Sequence, residues 1–295
     1  MLASDIGYFS FGGGGSRGIA YAGAVDEWIK LTKYNTSLSL KGASGTSIGA
    51  LYAAALVVGL KPEKMMAIAE STNLVDIVNI DLTNIISYWG LDSGQKLLEW
   101  VESHIGTMTF YDLYQQTGRL LELAVTNINT GKAEYLSFKT SPNMKVAEGI
   151  VTSMALPIVF CPRKREGQLY CDGGLIDNYP IHRFPAKEVL GFRVHWNHAP
   201  NLDSIEHYFS RIGYCATNTG CVEAYKNLAE DYKKHSITID CGDVSTINWR
   251  ISKSTFVQCM SQGRQAVRKF ILDKNVRTSL SENKRCSIST QTDND

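Results

Sequence analysis

The sequence has no Cys-x-x-Cys pair, and none of its 7 cysteines stands with histidine at the spacing of a zinc site. That pattern argues against a structural zinc cluster. An odd number of scattered cysteines reads as free thiols in a reducing compartment, most of them small buried hydrophobes. No apolar run approaches the roughly 20 residues of a bilayer-spanning helix. The longest, ALYAAALVVGL over 50–60, has the length of a buried core helix. The opening MLASDIGYFSF lacks the basic flank and long apolar stretch of a secretory signal. Neither sign of charge is in excess. A formal net charge of +1 gives no electrostatic footprint for nucleic acid. No internal repeat or linker-like stretch divides the chain. These absences point to a cytoplasmic protein with no transmembrane segment and no nucleic-acid partner. What is present suits one large globular core: 295 residues, 44% hydrophobic and 20% charged.

Periodicity and turn residues predict strands at Ile6–Phe11, Ser39–Ser44, Leu121–Asn127, Ala133–Phe138, Leu169–Cys171, Val189–His195 and Ile237–Asp240. Helices are expected over Ser16–Lys30, Ser47–Val58, Pro62–Glu70, Gln95–His104, Val146–Met154 and Ser254–Ile271. Strands alternating with helices imply an α/β fold, a three-layer α/β/α sandwich around a mostly parallel sheet. The polar stretch 273–295 reads as a frayed tail.

Three motifs carry chemistry. Gly45-Thr46-Ser47-Ile48-Gly49 is a G-x-S-x-G between an expected strand and an apolar helix, the context in which that motif places a nucleophile on a sharp turn. Its serine would project at a helix N-terminus, where negative charge is favoured. Asp172-Gly173-Gly174 sets a carboxylate before a tight turn. A base for the serine could be Asp172 or one of the histidines His104, His182, His195, His198, His207 and His235. The third motif, GGGGSRG over 12–18, also satisfies G-x-G-x-x-G between a strand and a helix. A dinucleotide site would want an acidic residue ending the second strand. That strand ends in SLKGASG instead. An oxyanion hole fits the glycines better, because their amides can hold the charge of a tetrahedral intermediate. Arg17 adds positive charge and can brace the loop.

Taken in order, GGGSRG, GTSIG and DGG resemble the patatin-like phospholipases, as do the flanking VTSMALPIVFCP and GLIDNYPI. The resemblance spans roughly residues 5–195. One acyl hydrolase domain is expected over 1–272, and the resemblance implies a Ser–Asp dyad working without histidine. Ser47 would be the nucleophile and Asp172 the base, with Gly13, Gly14, Gly15 and Arg17 around the oxyanion and Gly45, Gly49, Gly173 and Gly174 supporting the turns. It implies no metal or other cofactor. The substrate would be a phospholipid or lysophospholipid acyl ester met at a membrane surface. A Ser–His–Asp esterase, with Ser47, Asp172 and then His195 or His198, is the nearest rival. A neutral-lipid lipase or acyltransferase would use the same acyl-enzyme. A lipid-binding module with an idle site is the non-enzymatic reading.

Two peripheral features stand out. Leu74, Val78, Leu82, Ile85, Ile86 and Trp89 recur at helical spacing, as a helix packed over the core or an amphipathic cap that touches lipid. Arg163-Lys164-Arg165 reads as a solvated hairpin tip, or as contacts to lipid head groups.

Overall fold

The computed structural model describes residues 5–195, 211–212, 215, 225–244 and 251–289. Strand β1 (Tyr8–Phe11) leads through a 3-10 turn at Gly15–Gly18 into α1 (Ile19–Thr32). A single helical turn, α2 (Thr36–Ser39), precedes β2 (Gly42–Thr46), and Ser47 opens α3 (Ile48–Val58). The strand expected from Ser39 therefore starts later. Asn35 accepts hydrogen bonds from the Ser37 and Leu38 amides at 3.0 and 3.2 Å, which winds this stretch into a capped turn and leaves Leu38 exposed.

The chain continues through α4 (Pro62–Ser71), α5 (Thr83–Tyr88), β3 (Gly90–Asp92), α6 (Gln95–Ile105) and α7 (Phe110–Thr117). Helix α7 has no counterpart among the expected helices; a capping box between Thr109 and Asp112 starts it. The hairpin β4 (Leu120–Asn127) and β5 (Lys132–Leu136) follows, then α8 (Val146–Ser153), β6 (Ile158–Phe160), β7 (Arg163–Arg165), β8 (Gln168–Asp172) and β9 (Val189–His195). Helix α9 (Glu230–Lys234), β10 (Ser236–Asp240) and α10 (Lys253–Ser289) complete the described elements. With no glycine or proline after Gly263 to stop it, α10 runs well past the expected end at Ile271.

Eight strands form the main sheet, in the order β10-β9-β1-β2-β4-β8-β7, with β5 on β4. The first five are parallel. The β4–β5, β4–β8 and β7–β8 pairings are antiparallel. Period-two alternation divides β1 between two layers. Phe11 meets Tyr21 of α1 and Tyr52 of α3 on one face, while Tyr8 stacks on Phe184 at 4.3 Å on the other. On the first face α10 is locked to α1 by ion pairs from Arg264 to Asp26 and from Arg268 to Glu27. The second face holds a smaller cluster of Ile181, Phe184 and Val189.

Both peripheral expectations are revised. Residues 74–89 are not one helix. A 3-10 turn at Leu74–Ile77 is followed by extended backbone and then by short α5, and most of the large apolar side chains face solvent rather than core. The basic triplet is strand β7 rather than a hairpin tip. Arg163 donates to the Gly94 carbonyl and Arg165 to the Ser141 hydroxyl, so two of the three cations brace the fold. The turn itself lies at Glu166 and Gly167.

Candidate active site

Ser47 stands between β2 and α3 with φ 54° and ψ −126°, a conformation that L-residues rarely adopt. Such backbone costs on the order of 1–3 kcal/mol and persists only where its surroundings enforce it. The flanking glycines make the bend sterically open. A Cβ on Gly45 would lie 2.2 Å from the Gly49 carbonyl oxygen, and one on Gly49 would lie 2.4 Å from that of Phe11. Ser153, at the end of α8, completes the enforcement. Its hydroxyl accepts from the Ser47 amide at 2.9 Å and donates to the Ala124 carbonyl at 2.7 Å. Ser153 is thus a positioning residue, invisible in the sequence because 106 residues separate the partners. Ser153→Ala leaves the Ser47 amide without its acceptor. An orphaned donor costs about 1–3 kcal/mol. If a comparable loss reaches the transition state, kcat falls about tenfold with KM nearly unchanged. An unchanged kcat in steady-state assays would remove Ser153 from the site.

Sheet register brings Asp172 to Ser47. Strand β4 pairs with β5 along Leu123–Asn127, so β2 and β8 must share its other edge. Thr46 lies opposite Ala124 and Asp172 opposite the next residue, Val125. Asp172 is only 4% exposed. Its Oδ1 accepts from the Gly174 amide at 2.7 Å, and the Ser47 side chain lies near enough to pull the carboxyl pKa down. The Asp172 amide donates to the Ala155 carbonyl at 2.9 Å, and Thr126 Oγ1 donates to the Asp172 carbonyl at 2.9 Å. Burial disfavours the carboxylate and pushes its pKa up to about 6, against the opposing pull of Ser47 and the Gly174 amide.

The glycine loop follows β1, beside the Ser47 elbow, so both lie at the carboxyl ends of adjacent parallel strands, where open α/β sheets bind ligands. The three expected oxyanion donors are not equivalent. The Gly13 amide donates to the Asn178 carbonyl at 3.0 Å, so it is already engaged. No hydrogen-bond acceptor among the described residues takes the Gly14 or Gly15 amide. Gly15 adopts φ 56°, where glycine is favoured. Tyr21 pins the loop by donating to the Gly12 carbonyl at 2.8 Å. The Arg17 side chain is buried, with the Cys241 and Cys259 thiols near enough to feel its charge.

Among the described residues no histidine is hydrogen-bonded to Ser47 or Asp172. His182 meets Tyr135 and Asp177, His104 the Trp100 carbonyl, and His235 the Ala186 carbonyl. His195 ends β9. His198 and His207 lie outside the described residues. Asn178 and Asp177 are further residues of the site. Asn178 ties the segment after Asp172 to the glycine loop, and the Asp177 carbonyl accepts from Thr46 Oγ1 at 2.9 Å. Their sequence signal was the GLIDNYPI flank. Among the described residues no three His, Cys, Asp or Glu side chains gather in a way that could hold a metal ion.

A strand-to-helix serine, a buried carboxyl beside it and a loop with open amides, on a mostly parallel sheet, are the parts of an acyl-transfer site. Comparison with known proteins gives the family. A family model described as patatin-like phospholipase matches residues 9–185, a span containing all three motifs. The chain belongs to the patatin-like phospholipase family. It is 28% identical over 180 residues to a protein of Invertebrate iridescent virus 6 named "Probable lipid hydrolase", covering 57% of this chain and 60% of that relative. An uncharacterized protein of Acanthamoeba polyphaga mimivirus is 27% identical over 267 residues, 84% of this chain and 88% of its own length. The fold matches VipD from Legionella pneumophila with a TM-score of 0.64 at 16% identity, covering 91% of this chain and 67% of VipD. The type III effector protein ExoU matches with a TM-score of 0.51 at 14% identity, over 91% of this chain and 53% of that one.

Proposed function

We propose that the protein is a serine lipid acyl hydrolase that cleaves acyl esters of phospholipids or lysophospholipids. The observation that carries this reading is the buried Asp172 carboxyl brought by sheet register beside a serine held in a strained elbow. In this reading Asp172 takes the Ser47 proton as the hydroxyl attacks the ester carbonyl. The Gly14 and Gly15 amides hold the oxyanion, and Arg17 stabilises the loop that presents them. Collapse of the tetrahedral intermediate expels the alcohol, protonated by Asp172, and leaves the acyl group on Ser47. A water molecule then gives its proton to Asp172 and attacks the acyl-enzyme, and the second collapse returns that proton to Ser47 as the fatty acid leaves. Family membership and the lipid-hydrolase name of the viral relative support a lipid substrate. In this reading the hydrolase is one domain through residue 272, and the enzyme meets its substrate at the bilayer surface; among the described residues no helix is long and apolar enough to cross a membrane.

The pH dependence tests this reading. Only the ionised form of Asp172 accepts a proton, and burial places its pKa at about 6. Activity is therefore lost as pH falls through about 6. With a dissolved short-chain ester, kcat/KM should climb between pH 5 and pH 7 and level off above. A profile flat across this range would mean that Asp172 is not the base.

A further inference from the structure

We propose that the loop spanning residues 80–89 is the surface by which the protein docks on a zwitterionic phospholipid bilayer. The proposal rests on the reading of the site as a lipid acyl hydrolase.

The loop is clamped at its base and apolar at its tip. The Asp92 carboxylate, itself buried, accepts from the Asn79 and Gly94 amides, each at 2.6 Å, and the Asp81 amide donates to the Leu91 carbonyl at 2.8 Å. Between these anchors Leu82, Ile86, Tyr88 and Trp89 are 72%, 85%, 64% and 63% exposed, with Ile80 and Ile85 exposed beside them. Monomeric soluble proteins scatter single exposed apolar residues, whereas a contiguous cluster marks an interaction site. Trp89 ends α5 at φ 61°, which closes the helix and leaves Tyr88 and Trp89 beside the exposed aliphatic residues. Aliphatic side chains grouped with Trp and Tyr suit the boundary between acyl chains and head groups.

Charge selects the kind of surface. No Lys or Arg occurs from residue 65 to 95. The acid within the loop, Asp81, has its carboxylate tied to the Thr83 amide at 2.9 Å and the Thr83 hydroxyl at 2.7 Å. A patch without cations gains nothing from an anionic surface, so its complement is a neutral one.

Position links the loop to the dyad. Strand β3 at its end pairs in parallel with β6, Gly90 lying opposite Ile158. Ile158 is itself partly exposed. Three residues before it, the Ala155 carbonyl accepts from the Asp172 amide. Docking through the loop therefore fixes the dyad close to the lipid.

The test compares the full chain with the double variant Leu82→Asp/Ile86→Asp. Vesicle binding is read by sedimentation, with Ser47→Ala in both chains so that the lipid stays intact. The expected result is binding to pure phosphatidylcholine vesicles that gains less than threefold from added phosphatidylserine and falls at least tenfold in the double variant. In chains with Ser47 present, vesicle turnover falls in parallel while a dissolved short-chain ester is cleaved at the wild-type rate, which also certifies the fold. Undiminished vesicle binding and turnover in the double variant would overturn the docking surface. So would binding that depends on phosphatidylserine, or a dimer in analytical ultracentrifugation that the double variant dissolves without loss of vesicle binding. Failure of the catalytic reading looks different: the wild type would bind vesicles through the loop and cleave neither substrate.

Discussion

Asp172→Asn abolishes turnover and stabilises the protein at alkaline pH. The asparagine amide oxygen can still accept from Gly174, but the side chain cannot take a proton from Ser47. General-base catalysis contributes about 10²–10⁴-fold, and the same group serves both half-reactions, so kcat falls at least about 10³-fold. Stability moves the other way. A carboxyl whose folded pKa is raised contributes stability that is fully present below its unfolded pKa and lost as pH rises through the folded value. Raising Asp172 from 3.8 to about 6 leaves an ionised, buried group at pH 8. That ionisation costs about 3 kcal/mol at one pKa unit per 1.36 kcal/mol. The neutral amide escapes this cost, so calorimetry should find Tm higher than wild type at pH 8 and nearly equal at pH 4. Loss of activity together with gain of stability separates a functional group from a structural one. His182→Ala and His195→Ala should retain turnover. A collapse at either, with the fold intact, would mean a histidine-dependent triad and contradict the dyad.

Ser47→Ala eliminates fatty-acid release without unfolding the protein. With the nucleophile gone no acyl-enzyme forms, and release from mixed zwitterionic and anionic vesicles should drop by at least about 10⁴-fold. Alanine inherits the positive φ and the Ser153 contact to its amide, so the elbow stays strained. Glycine does not share that strain. Ser47→Gly should be equally inactive and about 1 kcal/mol more stable than Ser47→Ala, read as a higher denaturant midpoint. Release that persists in Ser47→Ala would place the chemistry elsewhere.

The parts of the site were legible where chemistry is written locally. A serine between glycines after a strand, a glycine loop before a helix and an aspartate before two glycines are each short enough to read. What escaped is what the fold assembles. Ser153 holds the nucleophile's amide from 106 residues away, and no local pattern announces it. Gly13 looked equivalent to its neighbours until the Asn178 carbonyl claimed its amide. The apolar spacing over 74–89 reads as a helix, but the Asp92 clamp closes residues 80–89 into a loop whose large apolar side chains face solvent, while Ile77 packs into the core. The basic triplet 163–165 reads as exposed, yet Gly94 and Ser141 take two of its side chains. Strand and helix types were readable along most of the sheet because the buried runs alternate with helical ones. The start of β2 was not, because the side chain of Asn35 sets it.

The most direct test of the account is covalent capture of the nucleophile. A fluorophosphonate reacts with an activated serine, and peptide mass spectrometry locates the adduct. The dyad predicts one adduct, on Ser47, formed rapidly by the wild type and at least about 10³-fold more slowly by Asp172→Asn. An adduct on another residue, or labelling of Ser47 that proceeds equally fast without the Asp172 carboxylate, would contradict it.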